Sequence, residues 1–140
     1  MKVLFDNNII LDIMLARPAF YDNARKLLEG ANNGNYEAYI TAAATTDIFY
    51  IANKAVKDKQ KVYEAFETLL SIVRIIPVDE SNVQRALELR WKDFEDAVQY
   101  TASEANGIDF IVTRNEKDYE LKNILSLSPE RFLELCVEFK

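Results

Sequence analysis

Apolar runs alternate with amphipathic stretches along this chain of 140 residues. Residues 2–5 and 36–40 are short, mostly apolar and flanked by polar residues, which is typical of buried parallel strands. Residues 74–78 form a third strand candidate, and Pro77 makes it an edge strand because proline has no N–H to donate to a neighbour. Two further strands are predicted at residues 108–113 and 124–127.

Helical spacing of apolar residues fills the intervals between the strands. It predicts helices at residues 9–15, 18–30, 41–56, 62–73, 80–91, 93–105 and 131–137. Strands that alternate with helices predict an α/β fold, a three-layer sandwich with a mainly parallel sheet and helices on both faces. No linker or repeat interrupts the pattern, so residues 1–140 are expected to form one domain.

Carboxylates recur where strands end and where helices begin. Asp6 ends the first strand, and Asp47 lies near the start of the helix after the second. Asp96 lies at the start of the helix before the fourth strand, and Asp118 follows that strand. Right-handed crossovers bring strand ends and the following helix starts to one edge of a parallel sheet, where ligands bind. We therefore expect these four acids to converge there.

Several carboxylates in one cleft repel each other unless a cation lies among them. A cluster without Lys or Arg at its centre therefore indicates a divalent metal, and oxygen ligands suit hard cations such as Mg²⁺ or Mn²⁺. Such ions can deprotonate a water and align it with a phosphodiester.

Five other polar residues are candidates for supporting this cluster. Asn8, Thr113 and Asn115 can orient a carboxylate, a water or a phosphate oxygen. Asp93 precedes Asp96 by three positions and therefore shares its helical face. Arg114 can reach a phosphate and is the candidate contact to the phosphate of a substrate.

The composition narrows the chemistry further. The chain has no histidine and one cysteine, which excludes Ser-His-Asp and Cys-His catalysis and histidine-containing zinc sites. A single thiol excludes an internal disulfide and suits a reducing compartment, so a cytoplasmic location is expected. The net charge of −6 argues against a general nucleic-acid-coating protein, but not against an enzyme that contacts phosphate through a cation. No apolar run is long enough to predict a membrane span.

Three motifs, each at a predicted element boundary, resemble the PIN-domain ribonucleases. The pattern Asp-x-Asn-x-x-x-Asp stands as Asp6, Asn8 and Asp12, and an Asp-Ala pair at a helix start stands as Asp96-Ala97. The pattern Thr-Arg-Asn-x-x-Asp-(Phe/Tyr) stands as Thr113, Arg114, Asn115, Asp118 and Tyr119. In this order the motifs extend over nearly the whole chain.

The resemblance implies a PIN-like fold and a metal-dependent ribonuclease. Asp6, Asp96 and Asp118 take the positions of metal-binding catalytic acids, and Asp47 stands where the family usually has Glu. Many single-domain members of this size are VapC-type toxins, so the resemblance also implies RNA cleavage, a homodimer and a small antitoxin partner. Asn7 departs from the family, which often has Thr or Ser there, and Asp47 is one methylene shorter than Glu.

Other functions also place acids at the edge of a parallel sheet. A phosphatase of the haloacid dehalogenase kind needs a second Asp two residues after its nucleophile, where this chain has Asn8. A receiver module should carry a Lys after the fifth strand, and residues 126–129 offer none, although Asp79 suits the phosphoacceptor position. A catalytically inactive PIN fold that only binds a partner is the main alternative, and the retained acids argue against it.

Overall fold

The computed structural model describes residues 1–120 and 123–138, and within them five strands form one parallel sheet. The strands are β1 Lys2–Phe5, β2 Glu37–Thr41, β3 Arg74–Ile76, β4 Phe110–Val112 and β5 Leu125–Leu127. Their order is β3-β2-β1-β4-β5, and all four pairings are parallel. The predicted α/β fold is confirmed, with a sheet that is parallel throughout the described residues.

Strand β1 lies at the centre of the sheet, between β2 and β4. Its Leu4 is in register with Tyr39 of β2 and Ile111 of β4. The chain moves outward in one direction from β1 to β3, then returns to the other side of β1 for β4. Such a reversal leaves a crevice at the carboxyl ends of the central strands. The edge position predicted for β3 is confirmed, since β3 pairs only with β2 among the described strands and ends before Pro77.

Seven α-helices connect or follow the strands of the described chain. They are α1 Asn7–Met14, α2 Tyr21–Asn32, α3 Ala42–Val56, α4 Lys59–Leu70, α5 Glu80–Leu89, α6 Phe94–Ala105 and α7 Pro129–Glu138. Helix α2 begins later than the sequence predicts, because the backbone N–H groups of Phe20 and Tyr21 both donate to Arg17 in a preceding turn. Within the described ranges, no helix has both the length and the apolar character needed to cross a membrane.

Alternating strand residues divide the core between the two faces of the sheet. Val3 and Phe5 are fully buried on one face, in the core that α1, α2, α3, α4 and α7 complete. Leu4 is fully buried on the opposite face with Tyr100 of α6, and α5 packs against α6 there. Each such side chain contributes roughly 1.5–3 kcal/mol by leaving water. The three-layer arrangement is therefore confirmed.

Helix α6 and strand β4 bring distant residues to the same edge of the sheet. Asp93 caps the helix, with its Oδ1 accepting from the backbone N–H of Asp96 at 3.1 Å. The helix ends at Asn106, and Gly107 then takes a φ of 70°, a left-handed conformation that glycine adopts without steric cost. The chain then enters β4 in the reverse direction, so the start of α6 and the end of β4 are neighbours.

Candidate active site

An open cleft of about 450 Å³ lies at the carboxyl edge of the sheet. It lies where β1 meets α1, beside α3, the start of α6 and the loop after β4. Its lining residues are Asp6, Asn7, Asn8, Leu11, Asp47, Tyr50, Ile51, Asp93, Glu95, Asp96, Asn115 and Asp118. The structure thus brings the four acids predicted to converge into one cleft with two further carboxylates. No lysine or arginine is among the described residues that line it.

Asp6 is the most firmly positioned of these acids. It ends β1, caps α1 and is 5% exposed. Its Oδ1 accepts from the backbone N–H of Asn7 at 2.7 Å and from Nε2 of Gln99 at 3.0 Å. Its Oδ2 accepts from Oγ1 of Thr113 at 2.7 Å. Three donors therefore orient one buried carboxylate, as its placement directly after a buried strand requires.

Asp96 is the acid most affected by its neighbours. Burial raises its pKa from 3.8 to about 7, and repulsion by Asp6, Asp93 and Asp118 adds to the rise. A carboxylate with this pKa is only partly ionised near neutral pH in the absence of a cation. Burial, together with electrostatic repulsion within the cleft, is therefore sufficient to change the protonation of one of its members.

Behind Asp6 and Asp96 lies a buried polar network that joins the two. Gln99 is 2% exposed, and its Nε2 also donates to the hydroxyl of Tyr119 at 3.1 Å. That hydroxyl is hydrogen-bonded to the carboxylate of Asp96. Burial, with the nearby carboxylates, raises the pKa of Tyr119 well above its ordinary value, so the phenol remains a hydrogen-bond donor at neutral pH.

Glu95 and Asn7 also belong to the cleft, although sequence analysis gave neither a site role. The side-chain amide of Asn7 donates to Glu95. Burial is the main cause that raises the pKa of Glu95, and repulsion by Asp47, Asp6 and Asp93 follows. Helical spacing could have indicated two of the overlooked residues, because Gln99 follows Glu95 by four positions and Asp96 by three.

The other predicted lining residues form the rim. Asp47, Asp93, Asn115 and Asp118 are exposed at the surface of the cleft, and Asn8 is half-buried. Asp118 lies in a 3-10 turn, Glu116–Asp118, directly after the loop that leaves β4. The side chains of Asp47 and Asp118 can rotate toward a ligand, whereas Asp93 is held by its capping hydrogen bond and Asp6 by its three hydrogen bonds.

Thr113 and Arg114 do not line the cleft. Thr113 is fully buried and contributes to the cleft only by donating a hydrogen bond to Asp6. Its Oγ1 also accepts from the backbone N–H of Asn115 at 3.0 Å. The guanidinium of Arg114 points to Asp12 instead, with Nε 3.0 Å from Oδ2 in a poor hydrogen-bond direction and Nη2 donating to Oδ1 at 3.3 Å. It also lies 3.8 Å from the ring centre of Phe20, a cation–π contact.

Asp12 is a buried anchor rather than a part of the cleft. It is 1% exposed and lies 3.3 Å from Nη1 of Arg17, which donates in turn to Oδ1 of Asn8. Burial raises the pKa of Asp12, and the two arginines offset part of that rise. The Arg114–Asp12 pairing joins α1 to the loop after β4, the two segments that carry Asn8 and Asn115 of the cleft.

The donor set of the cleft has the chemistry that a hard divalent cation requires. Its polar groups are carboxylates and amides, and Oδ1 of the buried Asn7 has no hydrogen-bond partner among the described residues. In the conformation of residues 1–120 and 123–138, no three acidic or thiol side chains stand close enough to hold an ion. The residues fit a hard divalent cation in kind, because carboxylate and amide oxygens are the ligands that such an ion prefers.

The whole chain can also be compared with known proteins. A family model described as the PIN domain matches residues 2–117. The chain belongs to the PIN-domain family. The predicted family resemblance is therefore confirmed, and the acidic cleft lies within the matched region except for Asp118, which directly follows it.

Individual PIN-domain relatives cover almost the entire chain. Ribonuclease VapC1 of Aquifex aeolicus (strain VF5) is 27% identical over 138 residues, which are 95% of this chain and 94% of the relative. A toxin–antitoxin complex from Klebsiella pneumoniae contains a chain with a TM-score of 0.67 and 23% identity, covering 91% of this chain and 97% of its own. A chain of VapBC2 from Rickettsia felis, solved bound to a promoter DNA fragment, gives a TM-score of 0.69 at 19% identity. The match covers 91% of this chain and 98% of that one. The chain is thus similar over almost its whole length to a VapC ribonuclease, and it shares the fold of these solved structures.

Proposed function

We propose that this PIN-domain protein is a metal-dependent endoribonuclease that hydrolyses RNA phosphodiester bonds, as the toxin of a toxin–antitoxin pair. The observation that carries the proposal is the cleft in which Asp6, Asp47, Asp96 and Asp118 meet without a lysine or arginine in the described lining. Membership of the PIN-domain family and similarity to a VapC ribonuclease support it.

The chain's own residues divide into fixed and adaptable groups. Asp6 is held by Asn7, Gln99 and Thr113, so its oxygens present a constant geometry to the cleft. Asp96 is joined to Asp6 through Tyr119 and Gln99, which limits independent movement of the two acids. A carboxylate site that is oriented before substrate binds loses less free energy to reorganisation during the reaction.

Asp6, Asp96 and Asp118, with Asp47 at the rim, are the residues proposed to hold Mg²⁺ or Mn²⁺. When bound, the ion supplies an activated water and positive charge beside the phosphodiester. Glu95 lies in the same cleft with a raised pKa, and we add it to the candidate acids. Asn8 and Asn115 offer amide groups that can donate to phosphate oxygens.

The products should carry 5′-phosphate and 3′-hydroxyl ends. The chain has no histidine to act as the acid–base pair that activates a ribose 2′-hydroxyl, so water is the proposed nucleophile. The acidic cleft and the net charge of −6 argue against broad attraction of nucleic acid. We therefore propose that the substrate is a single-stranded RNA or an exposed RNA loop, selected by shape.

End-group analysis of cleaved RNA tests this mechanism. Wild-type protein with Mg²⁺ or Mn²⁺ should cleave, EDTA should stop cleavage, and Asp96→Asn should lose turnover with its fold intact. Asp22→Asn is the matched control, because Asp22 is an exposed first-turn acid of α2 that does not line the cleft. A 2′,3′-cyclic phosphate product or cleavage in EDTA would reject the mechanism, and full activity in Asp96→Asn would reject the residue assignment.

The same proposal includes two protein partners. Structural neighbours of this fold come from toxin–antitoxin complexes, which supports a small antitoxin as one partner. A second copy of the chain is the other, because Tyr50 and Tyr63 of α3 and α4 leave large aromatic surfaces exposed.

A further inference from the structure

A second pocket adjoins the acidic cleft and has a different character. It holds about 240 Å³, less than the roughly 300–1,000 Å³ of sites for drug-sized ligands. Ala43, Ala44, Phe94 and Val98 form its apolar walls, between the first turns of α3 and α6. Its size suits a single flat ring system rather than a peptide or an extended chain.

The pocket shares residues with the acidic cleft. Asp47 and Glu95 line both cavities. A group bound in the pocket would therefore be a close neighbour of a phosphate bound at the carboxylates. In RNA, the nearest group to a phosphate that is both flat and largely apolar on its faces is a nucleobase.

A buried polar atom without a partner among the described residues belongs to a side chain that lines the pocket. Gln99 lines the pocket, is 2% exposed, and uses Nε2 to donate to Asp6 and Tyr119. These bonds determine which end of the amide is the nitrogen, and they leave Oε1 buried with no hydrogen-bond partner among the described residues. Buried acceptors of this kind usually receive a hydrogen bond, and because Oε1 has almost no accessible surface, a ligand donor would reach it only if the pocket wall moved.

Phe94 provides the surface on which a base would stack. Its side chain is 47% exposed although it is a large aromatic at the start of a helix. Aromatic side chains bind unpaired bases by stacking, which requires no positive charge. Such binding would solve a difficulty of the acidic cleft, which otherwise repels the polyanion that it is proposed to cleave.

We propose that this pocket binds one unpaired nucleobase of the RNA substrate next to the scissile phosphate, and that it favours guanine. The proposal rests on the proposed ribonuclease function and adds a specificity site to it. The exposed polar side chains that line the pocket are Asp47 and Glu95, and their carboxylates are hydrogen-bond acceptors when ionised. Guanine presents two adjacent donors, N1–H and the 2-amino group, whereas uracil places carbonyl acceptors on both sides of its single N–H.

Nucleoside binding to the metal-free protein tests the pocket without any need for catalysis. The probes are guanosine and uridine, which have no phosphate, and the readout is the NMR signal of the methyl groups of Ala43, Ala44 and Val98. Guanosine should shift these signals and bind about tenfold more tightly than uridine, in line with the discrimination that a good donor–acceptor pair provides. Phe94→Ala should weaken guanosine binding severalfold.

Ala43→Leu fills the pocket, and Ala42→Leu is its matched control. Both alanines are exposed in the first turn of α3, and only Ala43 lines the pocket. Guanosine should bind wild type and Ala42→Leu with the same affinity, and it should bind Ala43→Leu about tenfold more weakly. A tenfold loss is about the magnitude expected when a base loses its specific contacts. On RNA of random sequence, a guanine preference at the cleavage site should persist in Ala42→Leu and disappear in Ala43→Leu.

Four outcomes would overturn the pocket. The first two are that guanosine shifts no methyl signal of wild type, or that guanosine and uridine bind it with equal affinity. The other two are that Ala43→Leu binds guanosine as tightly as wild type does, or that it cleaves random RNA with the same base preference. Methyl shifts that change on dilution without nucleoside would show that a second copy of the chain occupies the pocket instead. If guanosine binds as described but wild type cleaves no RNA with metal, the hydrolytic function fails and base binding stands.

Discussion

Replacing Asp96 by Asn should stabilise the metal-free protein at alkaline pH while it removes activity. In the folded protein, burial and the neighbouring acids raise the pKa of Asp96 from 3.8 to about 7. Each tenfold change in an ionisation equilibrium corresponds to about 1.4 kcal/mol. Ionising Asp96 in the folded state therefore costs on the order of 4 kcal/mol more than in the unfolded chain, and Asn avoids that cost.

The sign follows from proton binding. Between about pH 4 and pH 7, the folded protein keeps the Asp96 proton and the unfolded chain releases it, so stability falls as pH rises through this window. Below it both states hold the proton, so the side chain at this position is neutral in wild type and variant alike. The substituted asparagine can still accept from Tyr119, although it loses roughly 0.3–1 kcal/mol of favourable interaction with the positive end of α6. We expect Asp96→Asn to exceed wild type by about 2–4 kcal/mol at pH 8, with the two converging near pH 4.

Urea unfolding in EDTA at several pH values between 4 and 8 measures this difference. Trp91 is the one tryptophan of the chain and contacts Tyr100 and Tyr119, so its fluorescence reports on the face that carries Asp96. Asp22→Asn should follow wild type at every pH. Parallel stability curves for wild type and Asp96→Asn from pH 4 to pH 8 would refute the electrostatic argument.

Four further predictions follow from the site. Millimolar Mg²⁺ should raise the melting temperature of wild type by several degrees, because a ligand at about 100 times its Kd adds roughly 2.7 kcal/mol to the free energy of unfolding. The rise should shrink in Asp6→Asn, and no shift in wild type would count against the metal site. Asp12→Asn should lower the free energy of unfolding, measured in urea, by about 2–3 kcal/mol. This is less than the ~3–5 kcal/mol lost when a fully buried ion pair is broken, because both arginines are partly exposed. The variant should keep the rise in melting temperature that Mg²⁺ causes. Arg114→Ala should lower the free energy of unfolding by roughly 1–3 kcal/mol in urea, because it removes one partner of the buried Asp12 carboxylate and the contact with Phe20, and Arg114→Lys should not restore the contact with Phe20. Sedimentation at tens of micromolar should give a homodimer, and a monomer there would reject that partner.

Strand and helix order could be predicted from the sequence because it depends on local patterns. Short apolar runs and helical spacing identified the five strands and seven helices of the described chain, with bounds that differ by a few residues. The convergence of Asp6, Asp47, Asp96 and Asp118 followed as well, since right-handed crossovers in a parallel sheet leave few places for strand ends and helix starts. The motifs around these acids were sufficient to indicate the family.

Side-chain partners depended on tertiary structure. Arg114 was predicted to reach RNA, but Asp12 lies 102 positions away in sequence and 3.0 Å away in space, and no local pattern encodes that pairing. Gln99 was overlooked for the same reason, because its role comes from contacts with Asp6 and Tyr119 on two other segments.

The rotation of a helix about its axis likewise decides which of its acids enter a cleft. Asp93, Glu95 and Asp96 all lie at the start of α6, and all three line the site, whereas the sequence distinguished one ligand and one supporting residue among them. Local sequence patterns were therefore sufficient to predict the fold and the edge of the sheet at which the acids gather. Packing of α6 against the sheet determines which of these acids are buried and whose pKa is raised. Burial and repulsion depend on distances that exist only in the folded chain.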